Sequence, residues 1–502
     1  MLHPWTPKGA IVSTANDYHN ATKYDPETIR DVAPVDWAAQ PEPYKSFHSK
    51  TRIALGELLL LGRQEGSDDP VLLDPDPMSP TCELSRLSTL LLHIGGVTAQ
   101  QQTHGEPICF RASPSAGALY PTEIYVAIRD LPGVDDGIYN FQVRDHTLAP
   151  VLEGNYWRDL EAHTYGSEAI ADSNIVILFS IVFQRSSWRY HDRAYRRILL
   201  DSGHIIGNLM AFGPELGYTP VTVSAFNDTA IDELMFFDQS AESMLMMAAL
   251  PNEKSGRQPL GVSDTSVAFD EDNSIHAVHE AGKITGPEVK TTSPLPPFLV
   301  SGETSQLTFA LSRKLIDWER SLGPSILLRR STRSFKSASS MTCEQLGMIL
   351  GYAYLGTSEA SQDFFLDPAR IHTYVAVHRV DDLDAGLYRY DPHSSRLLLL
   401  KRGYFARENH EIGLGQELLR DASVVIYHLA DIEEAVASTG DRSYRYLNLD
   451  AGNIGQRINI AALKLDLGVS GIGGYFDDQV NSLFQRKTNE GVIYVTCVGQ
   501  PG

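Results

Sequence analysis

Apolar and polar positions along this chain follow two periods, and the same succession of periods occurs twice. Residues 84–94 and 344–354 carry apolar side chains at helical spacing. Each stretch is followed by a short run rich in β-branched and aromatic residues, 124–128 and 374–377, which predicts a strand. A hairpin through a Gly-x-Tyr segment, a helix and a second apolar strand (175–179; 424–429) come next. A long helix is predicted from about residue 194 to 216 and from 444 to 467, and a last strand over 244–250 and 492–498. Strands bounded by helices in this order predict an α+β fold, with sheets covered by helices.

The two successions are copies. Gly137-Ile138-Tyr139-Asn140-Phe141 recurs as Gly386-Leu387-Tyr388-Arg389-Tyr390, Arg193-Ala194-Tyr195-Arg196 as Arg442-Ser443-Tyr444-Arg445, and Asp201-Ser202-Gly203-His204 as Asp450-Ala451-Gly452-Asn453. All three pairs lie 249 residues apart, and repeats kept in order at one spacing indicate an internal duplication. A first domain is expected over residues 1–251 and a second over 301–502. Residues 252–300, rich in Pro, Ser, Thr, Gly and acidic side chains, read as a linker or lid.

Composition narrows the partners. At 502 residues, 42% hydrophobic and 21% charged, the chain is globular, and its net charge of −21 argues against nucleic acid and anionic membranes. No apolar run approaches the ~20 residues of a membrane helix, and the start MLHPWTPKGA lacks a signal-peptide pattern, so a cytoplasmic protein is expected. Cys82, Cys109, Cys343 and Cys497 show no CxxC or paired spacing and read as structural thiols. His276 and His279 stand three apart without further ligands, and no metal site is expected.

Two segments interrupt the periodic background. In Arg111-Ala112-Ser113-Pro114-Ser115-Ala116-Gly117-Ala118-Leu119-Tyr120-Pro121, small residues between prolines let the backbone approach a flat ligand, with free N–H groups to donate. In Leu327-Leu328-Arg329-Arg330-Ser331-Thr332-Arg333, an extended backbone would put Arg329, Ser331 and Arg333 on one face, a suitable phosphate clamp. Taken singly, the first also reads as an ordinary turn and the second as a solvated strand.

Together with Gly471-Ile472-Gly473-Gly474-Tyr475-Phe476, these segments resemble the nitroreductase superfamily, and within it the SagB-type dehydrogenases that include azoline oxidases. The resemblance covers both halves outside 252–300 and implies two tandem nitroreductase-like domains forming an intramolecular pseudo-dimer, monomeric as a chain. It further implies FMN held between the halves. Arg329, Arg330, Ser331 and Arg333 would meet the phosphate and ribityl, Gln416 would face the ring, and Gly473 and Gly474 would pass near its N5. Ser113, Pro114, Ser115, Ala116, Gly117 and Leu119 would cover the opposite edge, and Arg486 would stand in for a missing basic phosphate ligand.

The halves differ where these parts fall. Leu72-Leu73 is followed by Asp74-Pro75-Asp76 where the second half has two arginines, Ser167 stands for Gln416, and Ser224-Ala225 for Gly473-Gly474. The second half has Phe364-Phe365-Leu366 in place of the small-residue loop. One FMN per chain is therefore expected. Azoline-oxidising relatives carry a Lys-Tyr pair where this chain has Arg189-Tyr190. Arginine stays protonated, with a pKa above ~12, so Tyr190 or His191 is the expected proton carrier. The resulting expectation is hydride transfer on a small-molecule or peptide-derived substrate, with NADH or NADPH as donor. A flavin-sequestering protein and a flavin-destroying enzyme remain as alternatives.

Overall fold

The computed structural model describes residues 14–27, 29, 35–47, 51–56, 83–101, 108–251, 274–284, 307–355, 364–366, 368–486 and 490–502. Strand alternation decides how its layers form. Along Thr122–Ile128, Ile124, Val126 and Ile128 join Leu199 and Ile206 of the helix Ala194–Phe212 in one apolar cluster. Tyr125 and Ala127 point the other way, to Trp157 and Leu160 of the helix Trp157–His163. In the second half, Val375 and Val377 of the strand His372–Val377 meet Ile454 and Ile458 of the helix Arg442–Lys464. Tyr374 and Ala376 meet Ile412 and Leu419 on the opposite face. Side chains of period two thus bury both faces of each sheet under helices.

Each half holds a seven-stranded antiparallel sheet. In space the first runs Ile53–Ala54, Thr147–Glu153, Gly137–Gln142, Thr122–Ile128, Ser173–Val182, Glu242–Pro251, Val221–Val223. The second runs Thr308–Ala310, Arg396–Arg402, Gly386–Asp391, His372–Val377, Val424–Asp431, Glu490–Gly499, Gly468–Ile472. The strand order is the same in both, as the duplication requires. The long first-half helix stops at Phe212, short of the predicted end, because Pro214 opens a 3-10 turn over Gly213–Leu216.

The halves join as a pseudo-twofold pair whose contacts are reciprocal. The two long helices cross where Gly203 faces Gly452; a Cβ on either would sit 2.9 Å from the other's Cα and closer still to a carbonyl oxygen. On one side of the crossing Asp228 of the first half takes Arg442 and Arg445 of the second, with Arg445 at 2.7 Å. On the other, Asp477 takes Arg193 and Arg196, at 2.7 and 2.6 Å. All six side chains are buried.

The stretch 252–300, expected as linker or lid, contains a helix, Ser274–Ala281. His279 of that helix bonds Tyr195 at 2.9 Å, Lys283 pairs with Asp232, and Ile284 N–H donates to Asp228. The N-terminal segment does the same against the other half: His19 meets Tyr444, Lys23 meets Asp478, and Tyr24 N–H donates to Asp477. Residues 274–284 are therefore part of the repeat, held by buried polar contacts. The rest of that stretch lies outside the described residues, as do Leu72 to Asp76 and Cys82. Among the described residues no helix is long and apolar enough to cross a membrane, no group of His, Cys, Asp and Glu could hold a metal ion, and Cys343 and Cys497 are free thiols.

Candidate functional site

The small-residue loop of the first half is pinned by a buried carboxylate. Asp201 accepts from Ser115 Oγ at 2.6 Å and from Ala116 N–H at 3.1 Å. Burial pushes its pKa up to about 7, with those hydrogen bonds opposing. Ser113 faces inward, donating to the Ile94 carbonyl and accepting from Asn208. Leu119 is buried, whereas Pro114, Ser115 and Ala116 are half-buried and Gly117 is exposed. Gly117 has φ +68°, and a Cβ there would lie 2.8 Å from both Arg189 Nη1 and the Tyr190 hydroxyl. Only glycine permits that conformation and that approach together.

The arginine segment reaches this loop from the other half. Arg329 is buried; its Nε donates to the Ala112 carbonyl at 2.9 Å and its Nη1 has no partner. Burial lowers its pKa to about 10, so it stays charged at neutral pH. Arg330 turns to the Thr98 carbonyl at 3.1 Å. Ser331 is half-buried and Arg333 exposed, neither with a side-chain partner among the described residues. The Arg329 backbone is extended, at φ −54° and ψ 125°. The helix Leu322–Leu328 ends at Arg329, and the chain then runs outside any strand, with Thr332 paired to Val469 at 2.8 Å. Arg486 is paired with Glu490 at 2.9 Å.

A third part closes the arrangement. Gln416 Nε2 donates to the carbonyls of Gly413 and Gly474, at 2.8 and 3.1 Å. Arg197, on the long first-half helix, donates to the Gly473 carbonyl at 3.0 Å, and its guanidinium lies 4.0 Å from the centre of the Tyr190 ring. Gly117 thus connects through Tyr190 and Arg197 to Gly473, Gly474 and Gln416. Sequence reasoning missed Arg197. Its one signal is a break in the repeat, since the position 249 residues on is Tyr446.

Tyr190, His191, Arg197, Leu414 and Gly474 line a cavity of about 240 Å³ between the halves. Burial raises the pKa of Tyr190, with Arg197 and Arg189 opposing, so its hydroxyl is protonated at neutral pH. His191 ends the helix Phe183–Tyr190 at φ +48°, ψ −139°, a region that disfavours any residue with a Cβ. The corresponding position in the second half is Gly440, at φ +81°, ψ 177°. An imidazole is kept here where the duplicate uses glycine.

The pseudosymmetric place in the other half is filled. Phe365 stands where the first half has Ala116, and its ring stacks on Tyr446 at 5.4 Å and 6°. Tyr446 donates to the Ser224 carbonyl, as Arg197 does to that of Gly473. Asp450 accepts from Phe365 and Leu366 N–H, both at 2.9 Å, repeating the role of Asp201. The scaffold is duplicated, but among the described residues the Phe365 and Tyr446 rings occupy the positions equivalent to Ala116 and Arg197.

Comparison with known proteins agrees with this architecture. A crystal structure described as a nitroreductase from Anabaena variabilis superposes with a TM-score of 0.82 at 34% identity, covering 98% of this chain and all of that one. A Methanocaldococcus jannaschii protein described as a nitroreductase is 32% identical over 152 residues, 30% of this chain and 73% of its own length. The trifolitoxin-processing protein TfxB of Rhizobium leguminosarum bv. trifolii is 28% identical over 167 residues, 31% of this chain and 44% of the relative. The model of the nitroreductase family matches residues 79–250 and again 326–500. The chain belongs to the nitroreductase family and carries its domain twice.

Proposed function

We propose that this chain is an FMN-dependent oxidoreductase with one flavin site, acting on a small organic or peptide-derived substrate and reduced by NADH or NADPH. The observation that carries this reading is the meeting of complementary parts from opposite halves, Arg329 on the Ala112 carbonyl and Gly117, Tyr190 and Arg197 on Gly473, beside a cavity lined by Tyr190, Arg197 and Gly474, while the duplicate position is filled by Phe365 and Tyr446. The residues suit FMN: the unpartnered Nη1 of buried Arg329 and the free side chains of Ser331 and Arg333 offer donors for a phosphate. Gln416, Gly473 and Gly474 from one half, and Pro114, Ser115, Ala116, Gly117 and Leu119 from the other, would hold the ring. Bound FMN supplies two-electron chemistry at N5.

The chain's own residues orient and protonate. Asp201 holds the Ser115–Ala116 backbone, Arg197 fixes the Gly473 carbonyl, and Tyr190 offers a protonated hydroxyl to the cavity. Residues 274–284, the described part of 252–300, pack against Tyr195, Asp232 and Asp228. The relative named for trifolitoxin processing supports a peptide-derived substrate.

Flavin counting tests the reading. Absorbance against protein concentration gives one FMN per chain, and Arg333→Gln weakens FMN binding about 10–100-fold, the scale of one charge-assisted contact. No FMN, or two per chain, would overturn it. Anaerobic NADH or NADPH bleaches the bound flavin; if neither does, the chain is a flavin holder. A second test addresses the proton. Tyr190→Phe lowers turnover about a hundredfold, and His191→Gly lowers it while raising the melting temperature, because about 1–3 kcal/mol of backbone strain is released. Unchanged rates in both variants would remove these side chains from the chemistry.

A further inference from the structure

The cavity beside Gly474 has a charge balance opposite to that of the chain. Lys23, Arg189, Arg193 and Arg197 line it against one carboxylate, Asp192, in a chain of net charge −21. These cations are of two kinds. Lys23 pairs with Asp478 and Arg193 with Asp477, at 2.8 and 2.7 Å; the duplicate repeats the second pair as Arg442–Asp228 and holds Lys283, the counterpart of Lys23, on a different carboxylate, Asp232. They belong to the scaffold. Arg189 and Arg197 have no ion pair among the described residues, and the duplicate has Ser438 and Tyr446 in their places.

Arg197 is 6% exposed, and its Nη1 is buried without a hydrogen-bond partner. Arg189 is half-buried, 5.5 Å from the centre of the same Tyr190 ring that Arg197 covers. Leaving a charged donor buried and unsatisfied is unfavourable unless an acceptor arrives from outside. Two guanidinium groups flanking one aromatic ring suit a planar carboxylate, whose two oxygens can accept an N–H bond from the free Nη1 of Arg197 and from Arg189.

We propose that Arg189 and Arg197 form a carboxylate-recognition site, so that the substrate of the oxidoreductase proposed above is an organic acid or a peptide segment bearing a carboxylate. Benzoate, which is ionised at neutral pH, is the probe, benzamide its neutral isostere and phenyl phosphate the other anion. Binding is read by quenching of tryptophan fluorescence, since Trp37 lies 5.4 Å from Arg189 and 5.6 Å from Trp188. Wild-type protein binds benzoate at least tenfold more tightly than benzamide. Arg189→Gln and Arg197→Gln each reduce that preference below about threefold, while Arg189→Gln keeps the wild-type melting temperature. Equal binding of the two probes, or a preference that survives both substitutions, would overturn the proposal, and tighter binding of phenyl phosphate would transfer the site to phosphate esters. Flavin content is measured separately by absorbance. A yellow protein without the preference defeats the carboxylate site alone, and a colourless protein that retains it defeats the flavin reading alone.

Discussion

Replacing Asp228 by asparagine lowers the unfolding free energy by about 3–5 kcal/mol, because it leaves two buried guanidinium groups, Arg442 and Arg445, without their anion. Asp477→Asn does the same to Arg193 and Arg196. Urea denaturation followed by circular dichroism measures the loss; a change under about 1 kcal/mol would mean that water screens these pairs. The same clusters set the acid limit. Against the upward push of burial, Arg442 and Arg445 hold Asp228, and Arg193 and Arg196 hold Asp477, below the ordinary carboxylate range. A carboxyl group depressed in the folded state stabilises it above its unfolded pKa of about 3.9 and ceases to do so as pH falls. Wild-type protein therefore loses stability below about pH 4, and Asp228→Asn flattens that decline. Asp201 and Asp450 act in the opposite sense. Burial raises them to about 7 and about 8, so what they contribute is complete below about pH 4 and disappears as pH rises toward those values.

Gly203→Val has the second large effect. Its Cβ would stand 2.9 Å from Gly452 Cα and nearer the Leu449 carbonyl, and both neighbours are backbone, which cannot rotate away. The helices Ala194–Phe212 and Arg442–Lys464 must then separate, and with them the halves that face each other across the cavity. The expected loss exceeds about 3 kcal/mol, at the upper end for overpacked interiors, and cavity-dependent binding is lost with it. Gly351→Ala is the control. That glycine is also helical but has nothing within 4 Å of an added Cβ, so helix propensity alone raises stability, by up to about 1 kcal/mol. Thermal melts of the two variants should move in opposite directions. A Gly203→Val protein as stable as the parent would mean that the helices slide freely at this crossing.

The duplication was legible because the motifs that carry it lie within strands and helices whose length did not change between copies, so one spacing of 249 relates them. The helix Ser274–Ala281 escaped because its counterpart lies 260 residues earlier (Lys23 to Lys283) and a polar stretch surrounds it. The Arg329 segment and the Ser115–Gly117 loop were recognisable from residue type, but not the path of the former. Its course depends on the end of the preceding helix and on one pairing with Val469, neither visible in local pattern. Arg197 was hidden for a related reason. It acts on Gly473, 276 residues away, and only the mismatch with Tyr446 marks it.

The Phe365–Tyr446 stack carries a consequence for how such a molecule can change. In an assembly of two identical subunits every substitution is made twice, and a side chain that improves one cleft must be endured at its mirror image. Here the mirror position has its own codon. An arginine that would be an unpaired charge in a sealed interior can face a cavity on one side while a tyrosine closes the other, and the strained imidazole of His191 needs no twin, since Gly440 relaxes the equivalent turn. Fusion of the copies thus turns a rule of symmetry into a free choice at each position.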